Sequence, residues 1–290
     1  MKTLQKNFYW FICTVVLAII VFYGLIMTTA PQVRFSISSD GQTEEISIYE
    51  SEDGNSYVFL PSYANMEDVR VALSSSHQIS LGGINLSNGM TCELFMLETG
   101  YPLEINGQQE TVLWFYQSAN VATMYIETSS GGMDTIYADK AHEENASIAL
   151  HTPTGDIEYI DRNCLLKGRG NSTWKEEKKP FLLKLSSEAG LLGMGEDTDW
   201  ILLANSLDES NLHNKLVLDM ADKAIDEWTP RCEYVDVYLN GQYNGLYLLA
   251  EKVESGPNRL NIDTGTGDFL CTVDFSIRAE TLAHPFYTEN

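Results

Sequence analysis

Four short segments of this sequence hold polar residues whose types and order suit the binding of a phosphate group. LKGRGNSTW (166–174) sets Arg169 between Gly168 and Gly170, then supplies Asn171, Ser172 and Thr173. Glycines let a backbone approach an anion closely, and amides and hydroxyls can donate to it. The string is neither G-x-G-x-x-G nor a Walker A, and a tight turn accounts for it as well. KKPFLLKL (178–185) adds Lys179 and Lys184, either of which could reach a phosphate. As a strand, it puts Phe181, Leu183 and Leu185 on one face and Leu182 and Lys184 on the other. A lysine partly buried there needs an anionic partner. LYLLAEKV (246–253) offers one, Glu251, at the end of an apolar run. A Lys–Glu pair of this kind holds nucleotide phosphates in kinases; a structural salt bridge is the alternative. FLCTVDFS (269–276) brings Asp274 to the end of an apolar strand, where a carboxylate can ligate Mg²⁺ beside a triphosphate.

The charge distribution adds to this. The chain carries 18 Lys+Arg against 41 Asp+Glu, a net charge of −23. Such acidity excludes a general nucleic-acid binder, which needs a basic surface to displace counterions. Yet Arg162, Lys167, Arg169, Lys175, Lys178, Lys179 and Lys184 fall within 23 residues, opposed only by Glu176 and Glu177. Clustered cations raise the local concentration of phosphate ligands. A solvated charged hairpin is the plainer reading of the same cluster.

Taken together, LKGRGNSTWKEEKKPFLLKL, DWILLANSLDESNLHNKLVLDMA and YVDVYLNGQYNGLYLLAEKVESGPNRLNI resemble the CotH family, over roughly residues 120–290. These are atypical secreted or surface protein kinases first recognised in spore coats. The resemblance implies a divergent kinase-like fold that binds ATP with Mg or Mn and phosphorylates serine on a surface or coat protein. It implies that the Arg169 loop, Asn171 and a lysine of KKPFLLK (Lys179 or Lys184) face the phosphates. Glu251 would organise that lysine and Asp274 would hold metal. An acid after the LLAE run, Glu254 or Asp263, would orient the substrate hydroxyl. His213 stands where the family usually has arginine. Family domains usually continue well past the strand of Asp274, so the expectation is a kinase-like domain truncated at its carboxy end. A non-catalytic surface or coat protein built on the same domain is the alternative.

The elements that must position these residues read as follows. Residues 31–118 are expected to form an all-β sandwich module. Short runs such as VRFSI, YVFLP and TVLWFY alternate with turn signals at Asp40-Gly41, Asp53-Gly54 and Asn106-Gly107. Residues 119–290 read as an α+β kinase-like domain. Helical periodicity spans Asp208 to Trp228, with Asp208 or Ser210 able to cap its start. Asn240-Gly241 lies between two β-rich runs and predicts a hairpin. Exposed-looking aromatics (Trp114, Tyr116, Trp174) and many carboxylates leave a carbohydrate-binding or hydrolase reading as a third class.

At the amino terminus, Phe8 to Met27 is an uncharged run of 20 residues preceded by Lys2 and Lys6. That length crosses a hydrocarbon core, and the lysines keep the short tail in the cytoplasm. The expectation for residues 1–30 is one transmembrane helix anchoring the chain in the cell membrane, single-pass, with the bulk extracytoplasmic. A cleaved signal peptide competes with this. Five cysteines, Cys13, Cys92, Cys164, Cys232 and Cys271, show no zinc spacing. Export permits disulfides, but buried free thiols fit equally.

Overall fold

A computed structural model describes residues 33–74, 77–263, 267–272 and 287–289. The apolar run at 8–27, Cys13 and Asp274 lie outside these residues. Among the described residues no helix is long and apolar enough to cross a membrane.

Nine strands come first: β1 (Val33–Ser39), β2 (Gln42–Ser47), β3 (Tyr49–Glu50), β4 (Ser56–Leu60), β5 (Arg70–Leu73), β6 (Ile79–Leu81), β7 (Ile84–Asn85), β8 (Gly100–Ile105) and β9 (Gln108–Gln117). They form a three-stranded sheet, β2-β1-β5, and a six-stranded sheet, β3-β4-β9-β8-β6-β7. Period-two alternation explains the pairing of faces. Phe35 and Ile37 of β1, Val58 and Leu60 of β4, and Leu113 and Phe115 of β9 all point into one buried cluster. Each such side chain contributes about 1.5–3 kcal/mol on burial.

The second body is β10 (Ala122–Thr128), α1 (Met133–Ala138), β11 (Glu143–His151), β12 (Ile157–Gly168), β13 (Phe181–Ala189), β14 (Asp197–Leu203), α2 (His213–Ala224), β15 (Cys232–Leu239) and β16 (Gln242–Glu251). Its seven strands close into a barrel in the order β10-β11-β12-β13-β14-β16-β15. All neighbours are antiparallel except β10 and β15, whose parallel pairing closes the ring. The α+β expectation is corrected here. Among the described residues the segment from residue 119 onward is a β-barrel with two short helices, because alternating apolar residues dominate its sequence. Phe181, Leu183, Leu185, Trp200, Leu202 and Leu249 fill the inside. A further pair, β17 (Leu270–Thr272) and β18 (Tyr287–Glu289), lies beyond it in sequence.

The Asn240-Gly241 hairpin forms as expected, joining β15 to β16 with both residues at positive φ (53° and 74°). That is the geometry a two-residue turn needs between twisted strands. The helix is shorter than its periodicity suggests. It spans His213–Ala224, with Leu212 at its N-cap. Asp208 and Ser210 satisfy its first donors from outside: His213 N donates to Asp208 Oδ2 (2.9 Å) and Leu212 N to Ser210 Oγ (3.2 Å). Leu216, Val217 and Met220 remain exposed on it.

The sheets and barrel share a seam. Tyr125 of β10 and Tyr238 of β15 are buried in the first cluster of sheet residues. Tyr238 donates to the Phe59 carbonyl (2.9 Å), and the Tyr63 and Tyr125 hydroxyls meet at 2.8 Å. Cys92, Cys164 and Cys232 are buried free thiols, and Cys271 is free and exposed. Burial pushes the first two thiols up to about 12 and Cys232 to about 11.

Candidate functional site

The loop from Gly168 to Pro180 crosses one end of the barrel, between the close of β12 and the start of β13. Arg169 N donates to the Pro180 carbonyl (3.1 Å), which pins the loop's two ends together. The glycines beside Arg169 serve packing and turning. A Cβ on Gly168 would lie 2.5 Å from the Trp174 ring, and Gly170 has φ +81°. The tight-turn reading therefore accounts for both. Arg169 itself is half-buried, and burial lowers its pKa. Among the described residues its guanidinium makes no ion pair or hydrogen bond. A charge withdrawn from water without a partner is costly, and among the described residues nothing offsets that cost for Arg169.

Lys179, in the same loop, is committed within it. Lys179 Nζ donates to the carbonyls of Trp174 (2.9 Å) and Glu176 (2.5 Å), closing the loop on itself. Asn171 is exposed and accepts from Lys140 Nζ (3.2 Å), which also reaches the Gly170 carbonyl (2.9 Å). No motif marks Lys140; its one signal is being the sole Lys or Arg in the 70 residues from 71 to 140.

Beside this loop a groove of about 810 Å³ opens between barrel and sheets. Tyr49 and Phe59 form one wall, Tyr137 and Tyr243 another, and Asn205, Ser206 and Asn244 add polar groups. Lys178 stands in it. Its Nζ lies 4.5 Å from the Tyr247 ring centroid and donates to the Leu246 carbonyl. Burial holds its pKa down at about 8, opposed by the charge of buried Asp236. Asp236 in turn accepts from Tyr243 Oη (2.9 Å) and is pushed up by its own burial. Tyr137, Asn244 and Tyr247 form a hydrogen-bonded chain (2.9, 2.9 Å) that ends on the Lys179 carbonyl (2.8 Å). That chain fixes the backbone on which Lys178 sits.

Gly245 is what makes room. Its φ is +99°, and a Cβ there would lie 3.2 Å from Lys178 Cε. Gly245→Ala is expected to destabilise the fold by roughly 1–3 kcal/mol through backbone strain, and to displace Lys178. Urea unfolding checks the first effect, and the titration of Lys178 by NMR checks the second.

The expected Lys184–Glu251 pair does not form. Lys184 is exposed on the outer barrel surface, in register with Leu165 and Asp199. The alternation foreseen for its strand holds, but the face that carries Lys184 is the solvent face. Glu251 lies at the opposite barrel end and is buried. Its Oε1 accepts from Gly195 N (2.8 Å), Arg231 Nη2 (3.3 Å) and Arg259 Nη1 (3.3 Å). Its Oε2 accepts from Arg231 N (2.9 Å). Arg259 is fully buried, 5.1 Å over the Trp200 ring and 3.6 Å from Asp197. The alternative of a structural salt bridge therefore describes Glu251, with arginines as its partners.

Glu254 shares that end. Lys252 bridges it to Asp199, at 2.7 Å on each side. Asp263 is exposed, and its backbone N donates to Asp268 (3.2 Å). The barrel thus separates the sequence-predicted residues into two groups: Arg169, Asn171 and Lys179 at one end, Glu251 and Glu254 at the other. From Leu246 to Glu251 the strand β16 alone spans about 17 Å at roughly 3.3 Å per residue. Among the described residues no three His, Cys, Asp or Glu gather as metal ligands. Any metal role of Asp274 rests on the resemblance.

The family model described as CotH kinase protein matches residues 166–282. The match contains the Arg169 loop, KKPF, the LLAN run and the LLAE hairpin, so the CotH resemblance read from those motifs stands. No curated protein matches the chain.

Proposed function

We propose that the chain is a membrane-anchored, extracytoplasmic CotH-like protein kinase that transfers the ATP γ-phosphate to serine of a secreted or surface protein. The observation that carries this reading is Arg169, a half-buried cation with no ion pair among the described residues, at the barrel end where Lys178 lines an aromatic-walled groove. Arg169 and Lys178 would hold and neutralise the phosphates. Tyr49, Phe59, Tyr137 and Tyr243 would shelter the base. In phosphoryl transfer the protein mainly positions groups and balances charge. ATP would arrive with Mg or Mn, which offsets triphosphate charge; Asp274 is the residue proposed to hold it. Glu254 or Asp263 is proposed to orient the serine hydroxyl. The apolar run at 8–27 would anchor the chain.

Lys178 sets a pH dependence. Its ammonium is present below about 8 and lost above. Affinity for ATP is therefore expected to fall as pH rises from 7 to 9.5, by roughly tenfold or more for one lost charged hydrogen bond. The Lys178→Arg protein should keep its affinity across that range.

Transfer of labelled phosphate from ATP with Mn²⁺ to serine tests the reading. Incorporation that is lost in Asp274→Asn supports it; incorporation unchanged in that variant removes the aspartate's role. One observation favours the non-catalytic alternative. Glu176, Glu177, Asp208 and Glu209 also line the groove, and Glu251 is occupied by arginines rather than a lysine. Nucleotide binding without transfer would establish that alternative.

A further inference from the structure

The outer face of the six-stranded sheet carries an aromatic surface that continues beyond the groove: Tyr49 and Phe59 are shared with the groove wall, and Tyr57, Trp114 and Tyr116 lie outside it. Register places it. Tyr49 pairs with Tyr57 and Tyr57 with Trp114, which pairs in turn with Gly100, giving one row across β3, β4, β9 and β8. Phe59 pairs with Tyr116 in the next row. The Tyr57 and Phe59 rings lie 6.0 Å apart and 20° from parallel, and Phe59 and Tyr116 lie 6.3 Å apart and 28° from parallel. Trp114 lies against the sheet because Gly100 has no side chain; a Cβ there would sit 2.7 Å from the indole. Tyr49 and Tyr116 are 47% and 37% exposed, whereas Val58, Leu113 and Phe115, which alternate with the row on the other face, are fully buried.

We propose that this face binds a neutral polysaccharide chain. Ring faces take up the C–H faces of sugar rings, and an aromatic row on a flat strand surface presents several in line. A polar acceptor borders the row: Asp53, which already holds the Tyr57 hydroxyl (2.9 Å). Hydroxyl-rich polymers supply donors to such a carboxylate. Charge argues against other occupants. A chain of net −23 repels nucleic acid, anionic lipid and a second copy of itself. A peptide added as a strand would use a sheet edge, not this face. The surface begins at Tyr49 and Phe59 on the rim of the groove, so a bound glycan would hold the chain against a polymer beside the proposed site.

Affinity electrophoresis of the full chain through gels containing mixed-linkage β-glucan, xyloglucan or galactomannan tests this. Retardation by at least one is expected, with apparent affinity reduced tenfold or more in the Tyr57→Ala/Tyr116→Ala double variant. Neither residue lines the groove, so the double variant should bind ATP as the parent does, and the two proposals fail separately. Circular dichroism confirms its fold; if it unfolds, Tyr116→Ala alone, at an exposed position, takes its place. No retardation by any of the three polymers, or equal retardation of parent and variant, overturns the proposal. So does retention only by polylysine, or a concentration-dependent dimer that the double variant abolishes.

Discussion

Arg259→Ala is expected to destabilise the protein by about 3 kcal/mol, the low end of the cost of breaking a buried charge pair, because Glu251 keeps Arg231 as its second partner. The loss falls on Glu251, whose side chain is fully buried, and on Asp197 beside it. Arg259 also covers Trp200, so packing is lost with the charge. The segment after β16 would be loosened at the barrel end, where Arg259 donates to the Gly195 carbonyl (3.1 Å) beside the Asn258 bond to the Glu196 carbonyl (3.0 Å). Urea unfolding followed by tryptophan fluorescence measures this. Replacing Glu251 and Arg259 together by methionine should recover part of the loss, since paired apolar residues avoid the orphaned charge. A single variant within 0.5 kcal/mol of the parent, the ordinary range for a surface change, would show that the pair is not holding the loop. The consequence for mechanism is direct: activity lost in Glu251→Gln reports the fold as much as the chemistry.

Lys178→Ala is expected to lower phosphoryl transfer by roughly 10²–10³-fold, the usual cost of removing one donor to developing charge. Lys184→Ala should leave the rate within about twofold, because an exposed lysine across from Asp199 gives up little. The contrast separates two lysines only six residues apart in the same run. Initial rates at saturating ATP, with urea midpoints measured alongside, distinguish a lost group from a lost fold. Equal losses in the two variants would point away from the groove.

Much of this arrangement was legible in the sequence. The alternation of Phe181, Leu183 and Leu185 gave the inward face of β13 directly. The positive φ demanded by Asn240-Gly241 gave the hairpin. The family motifs gave the segment that the CotH model matches. Barrel closure was not legible, because it depends on the parallel pairing of β10 with β15, more than a hundred residues apart. Closure decides which ends of the strands meet. It sends Glu251 away from the Arg169 loop and to Arg231 and Arg259. Lys178 is unmarked in the sequence for a related reason. Its environment comes from Gly245, Leu246 and Tyr247, 67 to 69 residues downstream, and local spacing carries no trace of them. The helix is shorter than the periodicity predicts because apolar periodicity continues past the residues that are helical. Leu212 and Ile225, the flanking caps, share the same exposed apolar stripe.

The central claim is that the barrel end carrying Arg169 and Lys178 binds a nucleoside triphosphate. Titration calorimetry of ATP with Mn²⁺ into the full chain tests it most directly, comparing the parent with Arg169→Gln at pH 7. The account predicts saturable binding in the parent, weakened by roughly ten- to a hundredfold in the variant, in line with one lost charge-assisted hydrogen bond. No heat of binding at millimolar ATP, or the same affinity in both proteins, would contradict it.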